Sequence, residues 1–242
     1  MPDTTIQREQ VRLREELALL REFPETEFAE IIREVGFSCT ACGSCCRTRQ
    51  NGHVFLLQTD TDRALVQFPQ AIIPAPFFEL CDREGRFYVS GYALRADPDG
   101  SCIFLSDNRC RIYAERFSIC RVYPYMLHRE PDAKGRLTFR QISGLNEHGE
   151  YHHEISPEEC TDIARATIRY EEAWLIQMLE FYDLAALRFE QEGERHVRKV
   201  YDTTIRRFRN GDPVEVFTYH RGAFHQITVS IGDYAGILTS TR

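Results

Sequence analysis

Apolar positions recur at helical spacing near the start of the chain. Ile6, Gln10, Leu13, Leu17 and Leu20 fall on one stripe, with Arg and Glu between them, which predicts an amphipathic helix over 5–22 that ends before Pro24. A second short helix is predicted over 25–35, with Phe28, Ile31, Ile32 and Val35 apolar and Gly36 as its stop. The two form either a helical hairpin packed on the core or an arm for a partner, and packing is the reading adopted.

The middle of the chain alternates over shorter distances. Val54–Leu57 predicts a short buried strand and Thr59–Gln67 a helix opened by Thr59 or Asp60 and closed by Pro69. The proline-rich stretch 68–78 is expected to be irregular, and 86–95 predicts one strand. A turn follows at "DPDG", then two extended pieces, "CIFL" and "CRIY", around "SDN" at 106–108, and a weak strand over 137–142. The strongest helical pattern covers 157–190. Ser156, Pro157 and Glu159 make a capping box with proline in the first helical position, and a break near Trp174 is considered. A further helix is expected over 194–209 and a hairpin over 214–231, turning at "HRGA". The fold class is α+β: a compact cysteine-rich core with short strands, flanked by N-terminal (1–35) and C-terminal (166–242) helical segments around a central region, 36–165.

Composition changes this picture in two ways. Of 242 residues, 43% are apolar, enough for a core that needs no covalent staples. The net charge of −7 argues against a broad polyanion-binding surface, so the basic face of 194–209 is taken as solvated and nucleic acid is not expected. No apolar run approaches a membrane span, and the charged N-terminus lacks a signal-peptide core. A reducing, cytoplasmic location is therefore expected, where dense cysteine points to metal or redox chemistry before disulfides.

All nine cysteines fall within 39–160. Cys39, Cys42, Cys45 and Cys46 occupy the eight residues "CTACGSCC". Two intervening residues allow the sulfurs of a C-x2-C pair to reach one centre, as zinc and iron–sulfur sites both require. Adjacent Cys45 and Cys46 are too close for an unstrained disulfide, and in extended backbone they would point apart, serving two different metal atoms or one ligating while the other supports. Cys102, Cys110, Cys120 and Cys160 supply remote thiols, the last in the first turn of a capped helix. Eight thiolates suit one or two centres: zinc, or an iron–sulfur cluster of the 4Fe–4S type. Arg47 and Arg121, each following a cysteine, are expected to offset the thiolate charge. Cys81, between Leu80 and Asp82 and near Phe78, is read as a packed core thiol. His148, His152 and His153 in "HGEYHH" are read as surface residues. No G-x-G, G-K-[ST], H-E-x-x-H or G-x-S-x-G motif occurs.

"CTACGSCC" followed by "GSCIFLSDNRCRIYAERFSICRVYP" resembles the YkgJ-like cysteine-cluster family, whose hallmark is CxxCxxCC followed by C, C-x-I-Y and C-R-x-Y-P segments. The matching positions are Cys39, Cys42, Cys45, Cys46, Cys102, Cys110 and Cys120 with Arg121, Tyr123 and Pro124; Cys160 fits a further downstream cysteine. One departure is Arg116–Phe117, where that family has Arg-Pro. The resemblance implies a zinc- or iron-chelating domain. It extends to flagellin lysine-N-methylases, which implies an iron–sulfur enzyme of redox or protein N-methyl-transfer type. A zinc-stabilised module presenting its helical flanks to a protein partner is the other alternative.

Overall fold

The computed structural model describes residues 4–131, 133–134, 137–141 and 148–238. Helix α1 (Thr4–Glu22) and helix α2 (Glu25–Val35) precede the cysteine loop, which contains a 3-10 turn at Ser44–Cys46 and the short helix α3 (Thr48–Asn51). Strand β1 (Phe55–Leu56), helix α4 (Gln58–Gln67) and strands β2 (Ile72–Pro74), β3 (Leu80–Cys81), β4 (Phe87–Val89) and β5 (Tyr92–Leu94) follow. Then come β6 (Leu105–Ser106), β7 (Arg109–Cys110), α5 (Ser118–Val122), β8 (Leu127–Pro131) and β9 (Leu137–Gln141). The chain continues through α6 (Pro157–Glu192), α7 (Arg198–Arg209), β10 (Val214–His220), β11 (Ala223–Val229) and α8 (Ala235–Leu238). The fold is mixed α+β.

The long helix α6 is the spine. The Ser156 hydroxyl caps it, accepting from the Glu159 N–H at 3.2 Å, and it runs unbroken past Trp174 and across residue 165. Its stripe of Leu175, Met178, Phe181, Tyr182, Ala185 and Phe189 meets Ile6, Leu13, Leu17 and Leu20 of α1 and the rings of Tyr88, Phe217 and Tyr219. The N-terminal part of α6 packs against α2 through Cys160, Ala164, Phe28, Ile32 and Val35. The first two helices therefore lie on the core, because their apolar stripes find a matching stripe on one helix long enough to receive both. Among the described residues, no helix is long and apolar enough to cross a membrane.

Two small sheets lie beside this helical layer. One has the order β1-β5-β2 and the other β11-β10-β4-β3, with β10 parallel to β4 and antiparallel to β11. The second sheet joins residues from the central and C-terminal segments around Phe78, Phe87, Phe208, Val216 and Tyr234. The hairpin turns at Arg221 and Gly222, both with positive φ, within the "HRGA" stretch.

Several expectations need correction. The strand expected over 86–95 is two strands in different sheets, separated at Gly91. A Cβ there would lie 2.6 Å from Gln177 Nε2 and 3.0 Å from Phe55 Cζ, so any larger residue would displace the Gln177 amide from its partners. Helix α4 begins at Gln58 after Leu57, with no side-chain cap. Asp60 instead accepts from the Ser118 N–H and hydroxyl, holding the start of α5. The proline-rich stretch contains β2, and α7 begins later than expected, at Arg198. Ile142, the end of the weak strand, lies outside the described residues.

Gln177 ties the layers together. It is 2% exposed; its Nε2 donates to Ser90 O (3.0 Å) and Leu56 O (3.4 Å), and its Oε1 accepts from the Gln58 N–H (2.9 Å). Gln177→Leu would orphan these backbone groups where water cannot reach them. It is expected to cost about 2–4 kcal/mol, read as a lower urea midpoint at unchanged slope. An unchanged midpoint would refute the strap.

Candidate metal centre

Three stretches of chain are pinned together by backbone pairing. Gly36 ends α2 in the left-handed region, and Gly43, at φ +74°, opens the 3-10 turn Ser44–Cys46. That turn is locked to the next cysteine segment. The Cys102 N–H donates to Cys46 O and the Thr48 N–H to Gly100 O, both at 2.8 Å, and Arg47 bridges Ser101. Asp107 and Asn108, both with positive φ, turn β6 into β7 and set Cys110 opposite Leu105. Asp60 fixes the start of α5, which carries Cys120, and Phe117 packs against Phe104 at 6.1 Å between ring centroids.

The result is a cavity of about 170 Å³. Cys39, Cys42, Cys45, Cys46, Cys102, Cys110 and Cys120 all line it. Cys39 and Cys42 are exposed at its mouth, and the other five are half-buried. The structure brings together seven of the eight cysteines singled out from the sequence. Cys160 is elsewhere: it is buried between α2 and α6, its Sγ 3.8 Å from Ile155 O. Cys81 is fully buried in the aromatic core.

Adjacent Cys45 and Cys46 do not point apart. The 3-10 turn, in place of extended backbone, sets their sulfurs 3.9 Å from each other. Four sulfurs at about 2.3 Å around one tetrahedral ion lie about 3.8 Å apart, so this pair already has the spacing of one edge of such a site. Among the described residues, however, no three His, Cys, Asp or Glu side chains stand as a ready-made metal cage. The sulfurs share one cavity rather than one coordination shell, and ligation requires them to draw inward. The donor set, soft thiols in a confined space beside cations, fits zinc or iron.

The thiols differ in how readily they ionise. Burial and neighbouring thiols push Cys120 up, and burial first of all pushes Cys102 up to about 11 and raises Cys110. A sulfur–sulfur hydrogen bond links Cys45 and Cys46. Cys46 is lowered by the hydrogen bond from Cys45, with Arg116 and Arg47 adding, while Cys45 is raised as the donor. Cys42 is lowered by its hydrogen bond with Ser44.

The cations differ from those expected. Arg47 is held beside the cavity by Ser101 Oγ (2.5 Å) and Asn108 Oδ1 (3.2 Å) and favours the Cys46 thiolate. Arg121 is exposed and is not part of the cavity wall; its Nε donates to Arg116 O at 2.7 Å. Arg116 takes the place expected of Arg121: it lines the cavity, favours the thiolates of Cys46, Cys110 and Cys120, and stacks over Tyr113 at 3.8 Å. The Tyr113 hydroxyl hydrogen-bonds Cys39. His148, read as a surface residue from the sequence, also lines the cavity, as do His53, Tyr123 and Met126. Burial lowers His53 to about 4. The one sequence signal for Tyr113 is its place in the C-x-I-Y segment; for His148 it is the histidine cluster, whose glycine-containing loop points by itself to exposure.

A model of the CxxCxxCC family, whose description is "Putative zinc- or iron-chelating domain", matches residues 38–161. A curated relative, Uncharacterized protein MJ0661 of Methanocaldococcus jannaschii, is 29% identical over 101 residues, covering 41% of this chain and 50% of the relative. The chain thus spans about half the length of that curated relative. No solved structure matches the chain.

The thiol environments predict an order of reactivity. In metal-free, reduced protein at pH 7, iodoacetamide should modify Cys42 and Cys46 before Cys45, Cys102, Cys110 and Cys120, because the thiolate is the nucleophile. The raised thiols are protonated at neutral pH, so their labelling should gain about tenfold per unit as pH rises from 7 to 9. Peptide mass mapping over time reads both effects. Equal early labelling of Cys42 and Cys120 would contradict this electrostatic picture.

Proposed function

Because the chain belongs to the CxxCxxCC family of zinc- or iron-chelating domains, we propose that it binds zinc or iron through the seven cavity cysteines, as two ions or one cluster. One observation carries this reading: seven thiols from three segments, far apart in sequence, line a single cavity. Its volume, about 170 Å³, equals that of five or six waters at about 30 Å³ each, more than one ion requires.

The environments divide the thiols into two groups. Cys46, Cys102, Cys110 and Cys120 act on one another, with Arg116 acting on Cys46, Cys110 and Cys120, and form the inner group. Cys39 and Cys42 are the exposed, outer thiols, and Cys45 links the two groups, 3.9 Å from Cys46 and acted on by Cys39 and Cys120. The bound metal would supply the positive charge that lets every thiol ionise. Arg116 and Arg47 hold the first proton-free sulfur, Cys46, before that charge arrives. Tyr113, Tyr123, Phe37 and Phe104 make part of the cavity wall aromatic. Binding energy of this kind ties the cysteine loop, β6–β7 and α5 into one unit, since the sulfurs would otherwise repel. Such a site needs reduced thiols, which a cytoplasmic location would maintain.

The exposure of Cys39 and Cys42 supports a second reading, an iron–sulfur enzyme of redox or methyl-transfer type, over a purely structural zinc site, because structural sites are closed.

Protein purified without oxygen should contain zinc or iron by mass spectrometry. Visible absorption assigns an iron–sulfur cluster; a colourless zinc protein assigns zinc. Serine at any of the seven cavity positions should lower the metal content, while Cys81→Ser and Cys160→Ser should retain it. Affinity should rise with pH, because Cys102, Cys110 and Cys120 must release protons that burial holds on them. Metal-free protein from anoxic preparation, or loss of metal in Cys81→Ser, would overturn the reading.

A further inference from the structure

Seven cavity thiols are one ligand short of two tetrahedral sites. The same wall holds an imidazole with an unused nitrogen. His148 lines the cavity, and its Nδ1 is buried with no hydrogen-bond partner among the described residues. Its other nitrogen, Nε2, is engaged: it makes a short hydrogen bond to the Tyr123 hydroxyl, and the two rings stack with centroids 5.5 Å apart. With one ring nitrogen bound to a phenol, the other is left without a partner, and its lone pair is open to a metal drawn into the cavity.

The backbone delivers His148 to the cysteine loop. Ser38 and Glu150 form an antiparallel bridge, with N–H to O distances of 2.8 and 3.0 Å, and the next pairs run from His152 N–H to Val35 O and from His153 N–H to Gly36 O. This ladder lays residues 148–153 along residues 35–38. Gly149 completes the approach: a Cβ there would lie 2.3 Å from Phe37 Cε2, and its amide donates to the Cys42 thiol. The residue next to His148 therefore already touches an outer sulfur. The other two histidines of the cluster face away, His152 Nδ1 toward Glu34 O at 3.1 Å and His153 Nε2 toward Glu150 at 2.8 Å. His53, the other imidazole of the wall, packs edge-on against Phe77 at 5.1 Å.

We propose that His148 Nδ1 is the eighth protein ligand of the cavity, completing a three-sulfur, one-nitrogen site with three of its thiols. This rests on the reading of the cavity as a metal centre. The proton stays on Nε2, which donates to the Tyr123 oxygen, and the Nδ1 lone pair goes to the metal. Tyr123 is a positioning residue: it selects the tautomer and holds the ring plane.

Cadmium-113 NMR of the cadmium-saturated protein tests this directly, since a sulfur-to-nitrogen change in the ligand set moves the resonance. The wild type should show a resonance in the three-sulfur, one-nitrogen range beside one in the four-sulfur range. His148→Ala should remove or move the first alone and weaken that site by at least the about 10–100-fold that loss of an outer-shell partner costs. His148→Cys should restore the metal content and move the resonance into the four-sulfur range, a rescue that a merely structural histidine would not give. Tyr123→Phe should weaken the same site without changing its ligand set. Only four-sulfur resonances in the wild type, or an unaltered spectrum in His148→Ala, would overturn the assignment while leaving the metal centre intact. No uptake of cadmium by the wild type would remove the metal reading, and this inference with it.

Discussion

Sulfur atoms confined in one cavity cannot all carry charge unless a cation joins them. That constraint governs this molecule. Burial lifts Cys102, Cys110 and Cys120 above the ordinary thiol range, and each is lifted further by its sulfur neighbours. Only Cys46, with a donor thiol beside it and Arg116 and Arg47 near, is favoured as a buried thiolate. A stack of Arg116 on Tyr113 costs little and leaves the guanidinium aimed at the sulfurs. The wall is otherwise apolar and aromatic, which raises the value of any positive charge placed inside.

Such a cavity cannot be held by a hydrophobic core alone, since its lining is the part that resists collapse. The fold meets this with short backbone pairings in place of long strands. The Cys46–Cys102 link, the β6–β7 turn, the Asp60 carboxylate on Ser118 and the Ser38–Glu150 bridge each fix one edge of the cavity. Regular packing lies behind them. Helix α6 receives α1 and α2 along its length, and Gln177 on the same helix grips β1 and the chain at Ser90. The helices therefore act as a frame for loops whose own packing is slight.

Much of this frame was legible in the linear pattern. Helical stripes marked α1, α2 and α6, and the Ser156–Glu159 cap marked where α6 starts. The cysteine spacing marked the metal chemistry, and the nearby Leu80 and Phe78 marked Cys81 as a core thiol. The misreadings share a cause. Asp60 looks like a helix cap locally, yet its partner, Ser118, is 58 residues away. Residues 86–95 look like one strand, yet Gln177 divides them at Gly91. Arg121 and Arg116 are five residues apart and chemically alike, and only the direction in which each leaves the chain near α5 separates them.

The sequence by itself determined which residues carry chemistry: soft donors at ligand spacing, in a chain with enough apolar residues to build a core without them. Periodicity and spacing are local properties, so a linear reading reaches them. The tertiary structure alone decided which donors meet. It gathered seven cysteines and set Cys160 in the helical core. It placed Arg116 rather than Arg121 in the cavity wall, and it turned His148 from a surface histidine into part of that wall. Those outcomes depend on contacts between segments about a hundred residues apart, where direction is set by packing and backbone pairing and leaves no trace in the local order of residues.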